Sequence, residues 1–199
     1  ENSTVVAWEN STVEARENST VEAWGNSTVV AWENSTVEAW GNSQVVDNGA
    51  SNITTKDNAR VVYNPRNIEE YISFYSIEDT GDTVRLFKAV HKRDGKYFSA
   101  YDQSFEYVLG AKCEAQNVST DITKQCAEGI HLAYRDWCIL FGFYWPDLAI
   151  LEIEAKKAEI VVPLYGDGKV RTKSAKVIRE VPLEECGLVG KILKKRNEK

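Results

Sequence analysis

The chain predicts a β-solenoid built from an octapeptide repeat, two repeats per coil, followed by an α+β domain with a largely antiparallel sheet. Three observations carry this. The first 48 residues are one eight-residue unit written six times: ENSTVVAW, ENSTVEAR, ENSTVEAW, GNSTVVAW, ENSTVEAW and GNSQVVDN. Within a unit, the small side chains Ser3, Val5 and Ala7 alternate with Thr4, Val6 and Trp8, a period of two that sends successive residues to opposite faces of a strand. Beyond the repeat, short apolar runs divided by turn residues outnumber helical stretches, the pattern of an α+β domain.

A six-residue strand buries no face alone, so the units must stack, and six units at two per coil give three coils. The small set faces inward, because a two-sheet coil this narrow has no room for large side chains. Strands then stack at about 4.8 Å. Trp8, Trp24 and Trp40 form an aromatic ladder on one face, with Arg16, Trp32 and Asn48 on the other. The sixth positions split likewise. Val6, Glu22 and Glu38 share one sheet and Glu14, Val30 and Val46 the other, so Glu22 repels Glu38. The Glu-Asn and Gly-Asn pairs between strands are turn chemistry, since Asn and Gly tolerate positive φ. The Asn-Ser-Thr triplets match a glycosylation acceptor, but Asn at a turn and Ser-Thr at a strand start account for them.

We divide the chain into a solenoid at 1–52, a junction with a helix at 53–80 and an α+β domain with a basic tail at 81–199, with one decaying coil reaching Ile53 at the junction. The chain has no Met and starts inside the repeat, as expected of a piece of a longer protein cut within the array. The open sheet edge of such an array is a place for copies to associate. In the junction, Asn64 is the expected N-cap and Pro65 the first residue of a helix whose apolar stripe is Ile68, Tyr71, Ile72 and Tyr75, packed between the solenoid and the domain. Strands follow at 84–90, 97–101 and 105–109, the first two joined by a hairpin at Asp94-Gly95. A further strand at 129–133 leads into a helix at 134–142 ended by Gly142. Strands at 148–154, 159–163, 170–172 and 176–181 close the sheet, with a turn at Tyr165-Gly-Asp-Gly168 and a helical turn at 184–186. The run from Lys191 to Lys199 reads as a frayed tail.

The repeat resembles the octapeptide arrays of bacterial ice-nucleation proteins in period and Ser-Thr core, over about a quarter of the chain. The paired threonines that would present ice-binding hydroxyls are absent, so ice activity is not expected. Its Asn-Ser-x-Val-x-Ala-Trp segments are also similar to arrays in gut-bacterial and phage proteins of unknown role. Val84–Val90, Cys126-Ala-Glu-Gly-Ile-His131 and Asp167-Gly-Lys-Val-Arg171 together resemble an uncharacterised domain family of phage and prophage proteins. That resemblance implies a mobile-element origin and no particular activity.

Several residue sets could carry chemistry. Gly129-Ile-His-Leu-Ala133 looks like the nicotinamide-pocket strand of ADP-ribosyltransferases, which implies NAD as cofactor, His131 and Lys88 as working residues, and a catalytic acid among Glu152, Glu154 and Glu180. His131 stands where that family has Tyr, and the first strand lacks its usual motif. Cys126 and His131 flank one turn and could act as nucleophile and base, oriented by Asp136 or Glu128. Cys113, Cys126, His131 and Cys138 could supply zinc ligands, but no Cys-x-x-Cys exists, and buried thiols explain Cys126 and Cys138 better. We therefore expect no metal. His91 begins a hairpin and is expected to be solvated.

The net charge of −6 argues against nucleic acid as a partner, and no apolar run is long enough to span a bilayer. Four scattered cysteines suit free thiols in a cytoplasmic protein. The expected function is a non-enzymatic, protein-binding phage or mobile-element module that interferes with a host or defence factor. The solenoid would be an oligomerising stalk. Trp8, Trp24, Trp32, Trp40, Trp137 and Trp145 are the expected interaction surface. The alternative is a transferase using NAD.

Overall fold

A computed structural model describes residues 2–49, 52–164 and 166–197. Tyr165 of the expected turn, residues 50 and 51 of the repeat's end and residues 198 and 199 of the expected tail lie outside the described residues. The chain divides into two compact units, Glu1–Pro65 and Arg66–Lys199.

The first unit is a parallel β-solenoid. Strands β1 (Thr4–Ala7), β3 (Thr20–Ala23), β5 (Thr36–Ala39) and β7 (Asn52–Thr55) form one sheet. Strands β2 (Thr12–Ala15), β4 (Thr28–Ala31), β6 (Gln44–Asp47) and β8 (Arg60–Tyr63) form the other. Like residues stack in register, Val5 on Val21, Val21 on Val37 and Val37 on Ile53. The small set fills the interior, with Val21, Val29, Val37 and Val45 shut off from solvent and Ser27, Ser35 and Ser43 buried beside them. Ser27 and Ser43 donate to the carbonyls of Trp24 and Trp40, each at 2.6 Å, which satisfies the buried hydroxyls.

The coils continue beyond the expected three. Strands β7 and β8 make a fourth, inside the stretch assigned to the junction. Their units keep the inward Ile53 and Val61 after losing the Trp and Ala that advertise the repeat. The turns also differ from expectation. Positive φ falls on the residue before Asn, with Glu9, Glu17 and Glu33 between 55° and 57° and Gly25 and Gly41 at 72° and 69°. The asparagines instead form a ladder, in which Asn26 donates to Asn10, Asn42 to Asn26 and Asn58 to Asn42 at 3.3–3.4 Å. Amide side chains stacked at the coil spacing pair with their own copies, as in other in-register arrays.

The second unit is α+β around one antiparallel sheet. Its helix α1 (Ile68–Tyr75) buries Tyr71, and Ile68, Ile72 and Tyr75 pack on the same core, as the stripe predicts. The N-cap is Asn67, not Asn64. Asn67 accepts from the Glu70 amide at 2.9 Å, and Glu70 accepts from the Arg66 amide at 2.8 Å. Asn64 is engaged elsewhere, donating to Asn48 one coil below.

The sheet runs β12 (Glu106–Tyr107), β11 (Lys96–Phe98), β10 (Thr83–Arg93), β15 (Leu148–Lys156), β17 (Ser174–Val181), β13 (Lys112–Glu114). Two short strands complete it, β9 (Glu78–Asp79) on β10 and β14 (Ile130–Ala133), which pairs with β10 and with β16 (Lys169–Thr172). The hairpin turn has positive φ at both Asp94 and Gly95, 49° and 76°, which matches the twist of its strands. One face holds the main core, including Leu86, Leu132, Leu151 and Ile153. Helix α2 (Arg135–Phe141) and helix α3 (Gly187–Asn197) contribute to a second cluster with Ile150 and Val181.

The C-terminal run is a helix rather than a frayed tail. Leu193 is buried, and Arg196 donates to the carbonyls of Phe143 and Trp145, the latter at 3.1 Å. The strand expected at 159–163 is reduced to one bridge, Val161 to Arg171, after a 3-10 turn at 157–159. No helix is long and apolar enough to cross a membrane, among the described residues.

Candidate functional site

The second unit carries a cleft of about 700 Å³, lined by Lys88, His131, Cys126, Lys169, Tyr101 and Tyr107 among others. Four of these side chains come from different elements. Lys88 projects from the middle of β10, His131 from β14, Lys169 from the start of β16 and Cys126 from the loop before β14. The three residues expected under the enzyme reading, His131, Cys126 and Lys88, therefore do meet at one cavity.

A single buried arginine holds the loop wall in place. Arg171, fully buried on β16, donates to three carbonyls: Ser119 at 2.6 Å, Lys124 at 2.6 Å, and Asp121. A guanidinium presents several donors in one plane, so one side chain can bind a whole turn of backbone. Gly129 closes the loop onto the strand at φ 133°, where a Cβ would meet Val118 at 3.1 Å and the Thr172 carbonyl at 3.3 Å.

The electrostatics of the cleft are one-sided at its inner end. Lys88 donates to the His131 carbonyl at 2.8 Å and lies 5.5 Å from the centre of the Tyr107 ring. No carboxylate pairs with it among the described residues. The residue as a whole is only partly buried, yet its ammonium end is desolvated, which pulls its pKa down to about 8. His131 is pulled down to about 4, first by burial and then by the positive charges of Lys88, Lys169 and Arg171. The imidazole is therefore neutral at pH 7. Its Nε2 is buried with no hydrogen-bond partner. Lys169 lies 3.3 Å from Asp167, 3.6 Å from the Cys126 sulfur and 5.3 Å from the centre of the Trp137 ring. The cleft's own carboxylates, Asp102, Glu114 and Glu128, are exposed.

The other expected roles distribute differently. Cys126 is exposed rather than buried, and its hydrogen bond is to Lys169, not to His131. Cys138 is buried, as a small apolar residue would be. Asp136, one proposed orienting group, pairs with Arg135 at 3.4 Å. Cys113, Cys126, His131 and Cys138 do not gather as a metal site, and no such group exists among the described residues. The three late-strand glutamates are engaged away from the cleft: Glu152 with Arg179 at 2.7 Å, Glu154 with Arg85 at 2.9 Å and Glu180 with Lys92 at 2.7 Å. His91 is not solvated. Its Nδ1 meets Asp147 at 2.7 Å, and its ring stacks on Trp145 at 4.3 Å.

Of the tryptophans expected at an interaction surface, three form a column. Trp8, Trp24 and Trp40 do stack, with centroids 5.5 and 4.2 Å apart, and Lys56 caps the column 5.2 Å from Trp40. Trp32 carries Arg16 over its ring at 5.3 Å. Trp8 is 60% exposed, whereas Trp24, Trp32 and Trp40 are half-buried by their neighbours. In the second unit, Trp137 and Trp145 are half-buried and Phe141 stacks on Trp137 at 4.8 Å. Tyr101, Leu140 and Tyr144 are the exposed residues there, at 77%, 64% and 86%. Tyr144 belongs to the aromatic cluster 137–145, part of which the sequence places at the surface, whereas Tyr101 and Leu140 were not singled out. Lys169 and Arg171 entered the sequence reading only within the motif Asp167-Gly-Lys-Val-Arg171, with no role in a site.

The chain is 31% identical over 110 residues to a protein of Bacillus phage SPbetaL7 described as Gabija anti-defense 2. The match takes in 54% of this chain and 26% of that protein, so the chain spans about a quarter of the relative's length. The relative is a phage protein, the origin that the sequence resemblance implied. No family model matches the chain. No solved structure matches it either.

Proposed function

We propose that this is a phage counter-defence protein that binds a host defence protein through the aromatic surface of its second unit, with the solenoid as an oligomerising stalk. The likeness to Gabija anti-defense 2 carries the reading. The exposed Tyr101, Leu140 and Tyr144 with Phe141 beside them support the binding mode, because large apolar side chains left in water are enriched at protein interfaces. The stacked, self-complementary registers of the solenoid support assembly of copies.

The test is expression of the chain in bacteria that carry Gabija, challenged with a phage that this system blocks. Plating should recover, and a Leu140→Ala, Tyr144→Ala double variant should lose the recovery while folding normally. Unchanged plating with the parent chain overturns the counter-defence reading. Light scattering tests the stalk separately, and a strict monomer at high concentration ends it.

A second reading, NAD-dependent transfer, draws on one observation: His131, Lys88 and Cys126 line the same cleft. Thermal shift across a millimolar range of NAD tests it, and a flat response rejects it.

A further inference from the structure

We propose that the cleft of the second unit is a binding site for a small organic anion, a phosphate or carboxylate joined to a planar ring. The inner end supplies the anion's partners. Lys88 carries a charge that no carboxylate balances among the described residues, and its donated bond goes to a neutral carbonyl. Lys169 adds a second ammonium lining the same cavity, one already paired with Asp167 at 3.3 Å, so Lys88 is the uncompensated charge. The buried, unpartnered Nε2 of His131 is the second, independent sign. Buried polar atoms are nearly always satisfied in native proteins, and an unsatisfied one calls for a missing water or ligand. Neutral imidazole can donate to a bound oxygen without adding a third charge.

The outer part suits the ring. Tyr101 and Phe105 line the cavity there, Tyr107 lies beside Lys88, and the volume of about 700 Å³ falls among small-ligand sites. The carboxylates Asp102, Glu114 and Glu128 are exposed, so water and salt screen their repulsion of an anion seated at Lys88. A desolvated ammonium with no counter-ion costs stability, and its retention makes sense if a ligand's charge compensates it.

Phenyl phosphate, benzoate, adenosine monophosphate and adenosine are titrated into the full chain by calorimetry. The anionic ring compounds should bind and neutral adenosine should not. A preference between phenyl phosphate and benzoate tells phosphate from carboxylate. Lys88→Met should weaken binding by about tenfold or more, the loss of one charged contact. The same variant should melt higher than the parent, because an apolar side chain replaces an uncompensated charge. His131→Ala should also weaken binding, and Asp102→Asn should not.

Three results overturn the proposal: no anion binds at about 10 mM or below; adenosine binds as well as adenosine monophosphate; or Lys88→Met binds like the parent while correctly folded. Should Lys88→Met fail to fold, Lys88→Gln and the His131→Ala titration decide in its place. These outcomes are independent of plating, so failure here leaves the counter-defence reading standing, and the reverse.

Discussion

The two units solve the problem of burying a chain in opposite ways. The solenoid uses one solution over and over. Each coil contacts only the coils above and below, and its interior is Val, Ala and Ser at fixed positions. The second unit uses each solution once. Its longest strand pair, β10 with β15, joins residues about sixty apart in sequence, and Arg171 binds a loop about fifty residues upstream. A repeat array spreads stability evenly and keeps damage near its source. A sheet of distant partners concentrates stability in a few residues and also has room for a cleft with unlike side chains on every wall. The difference explains why the solenoid's exterior is regular and the second unit holds the unpaired chemistry.

Four measurements would break or sharpen that contrast. The largest effect should come from Val37→Asp, which puts a charge with no partner into the middle of the array, at a residue with no exposure. A loss of about 4 kcal/mol or more is expected. Hydrogen exchange should show it confined to residues 20–55, with the second unit protected as before. Loss of protection throughout the chain would show that the units do not melt separately.

Arg171→Met should cost roughly 3 kcal/mol, since it strands three carbonyls that one guanidinium now serves. Urea denaturation measures the loss, and fast exchange at residues 119–124 locates it. Here one residue should lower the unfolding free energy of the whole unit, with exchange rising most at 119–124. Third, Trp24→Ala removes two ring stacks and Trp8→Ala one. The first should cost about 2 kcal/mol and the second about half of that, counting each stack at about 1 kcal/mol. Equal costs would mean that the column does not act by nearest-neighbour stacking.

The smallest effect concerns pH. His131 has its pKa lowered from 6.5 to about 4. The unfolded chain therefore takes up a proton between those values that the folded chain refuses, so stability should rise with pH from 4 to 6.5. Lys88, Lys169 and Arg171 surround the ring with positive charge and Asp167 opposes them. The rise should be about 1–2 kcal/mol after discounting for its partial exposure. His131→Gln should flatten it. A rise of the same size in that variant would assign the effect to other groups.

The contrast also explains what the sequence disclosed. A translational repeat writes its register into the chain, so strand positions, inward residues and the Trp8–Trp24–Trp40 column were all legible. Of the fourth coil only the start, to Ile53, was legible, because its units lack Trp and Ala. Yet Asp57-Asn-Ala-Arg-Val-Val-Tyr-Asn64 keeps the frame of Gly41-Asn-Ser-Gln-Val-Val-Asp-Asn48, with Asn second and Val fifth. In the second unit, local signals survived: the Asp94-Gly95 hairpin, the stripe of α1 and the stop at Gly142. What depended on distant partners did not. Helix α3 reads as a charged tail until Leu193 and Arg196 find the second core. The convergence of Lys88, His131 and Cys126 was guessed as a set, but Lys169 and Arg171 acquire meaning only once β14 and β16 are paired.

The sixteen-residue spacing of the asparagine ladder has a consequence for how such a chain can change. Inserting or deleting one whole coil moves every later residue along the stack by about 4.8 Å and leaves each on its own face. Adding a single octapeptide would instead exchange the two sheets, setting Arg16-type positions into the tryptophan column. Nearly identical repeats misalign readily when genes recombine. Such a gene can therefore lengthen or shorten its solenoid in even steps without rewriting a single contact in the cleft-bearing unit. Length becomes a heritable quantity separate from binding chemistry, and selection can act on one while leaving the other alone.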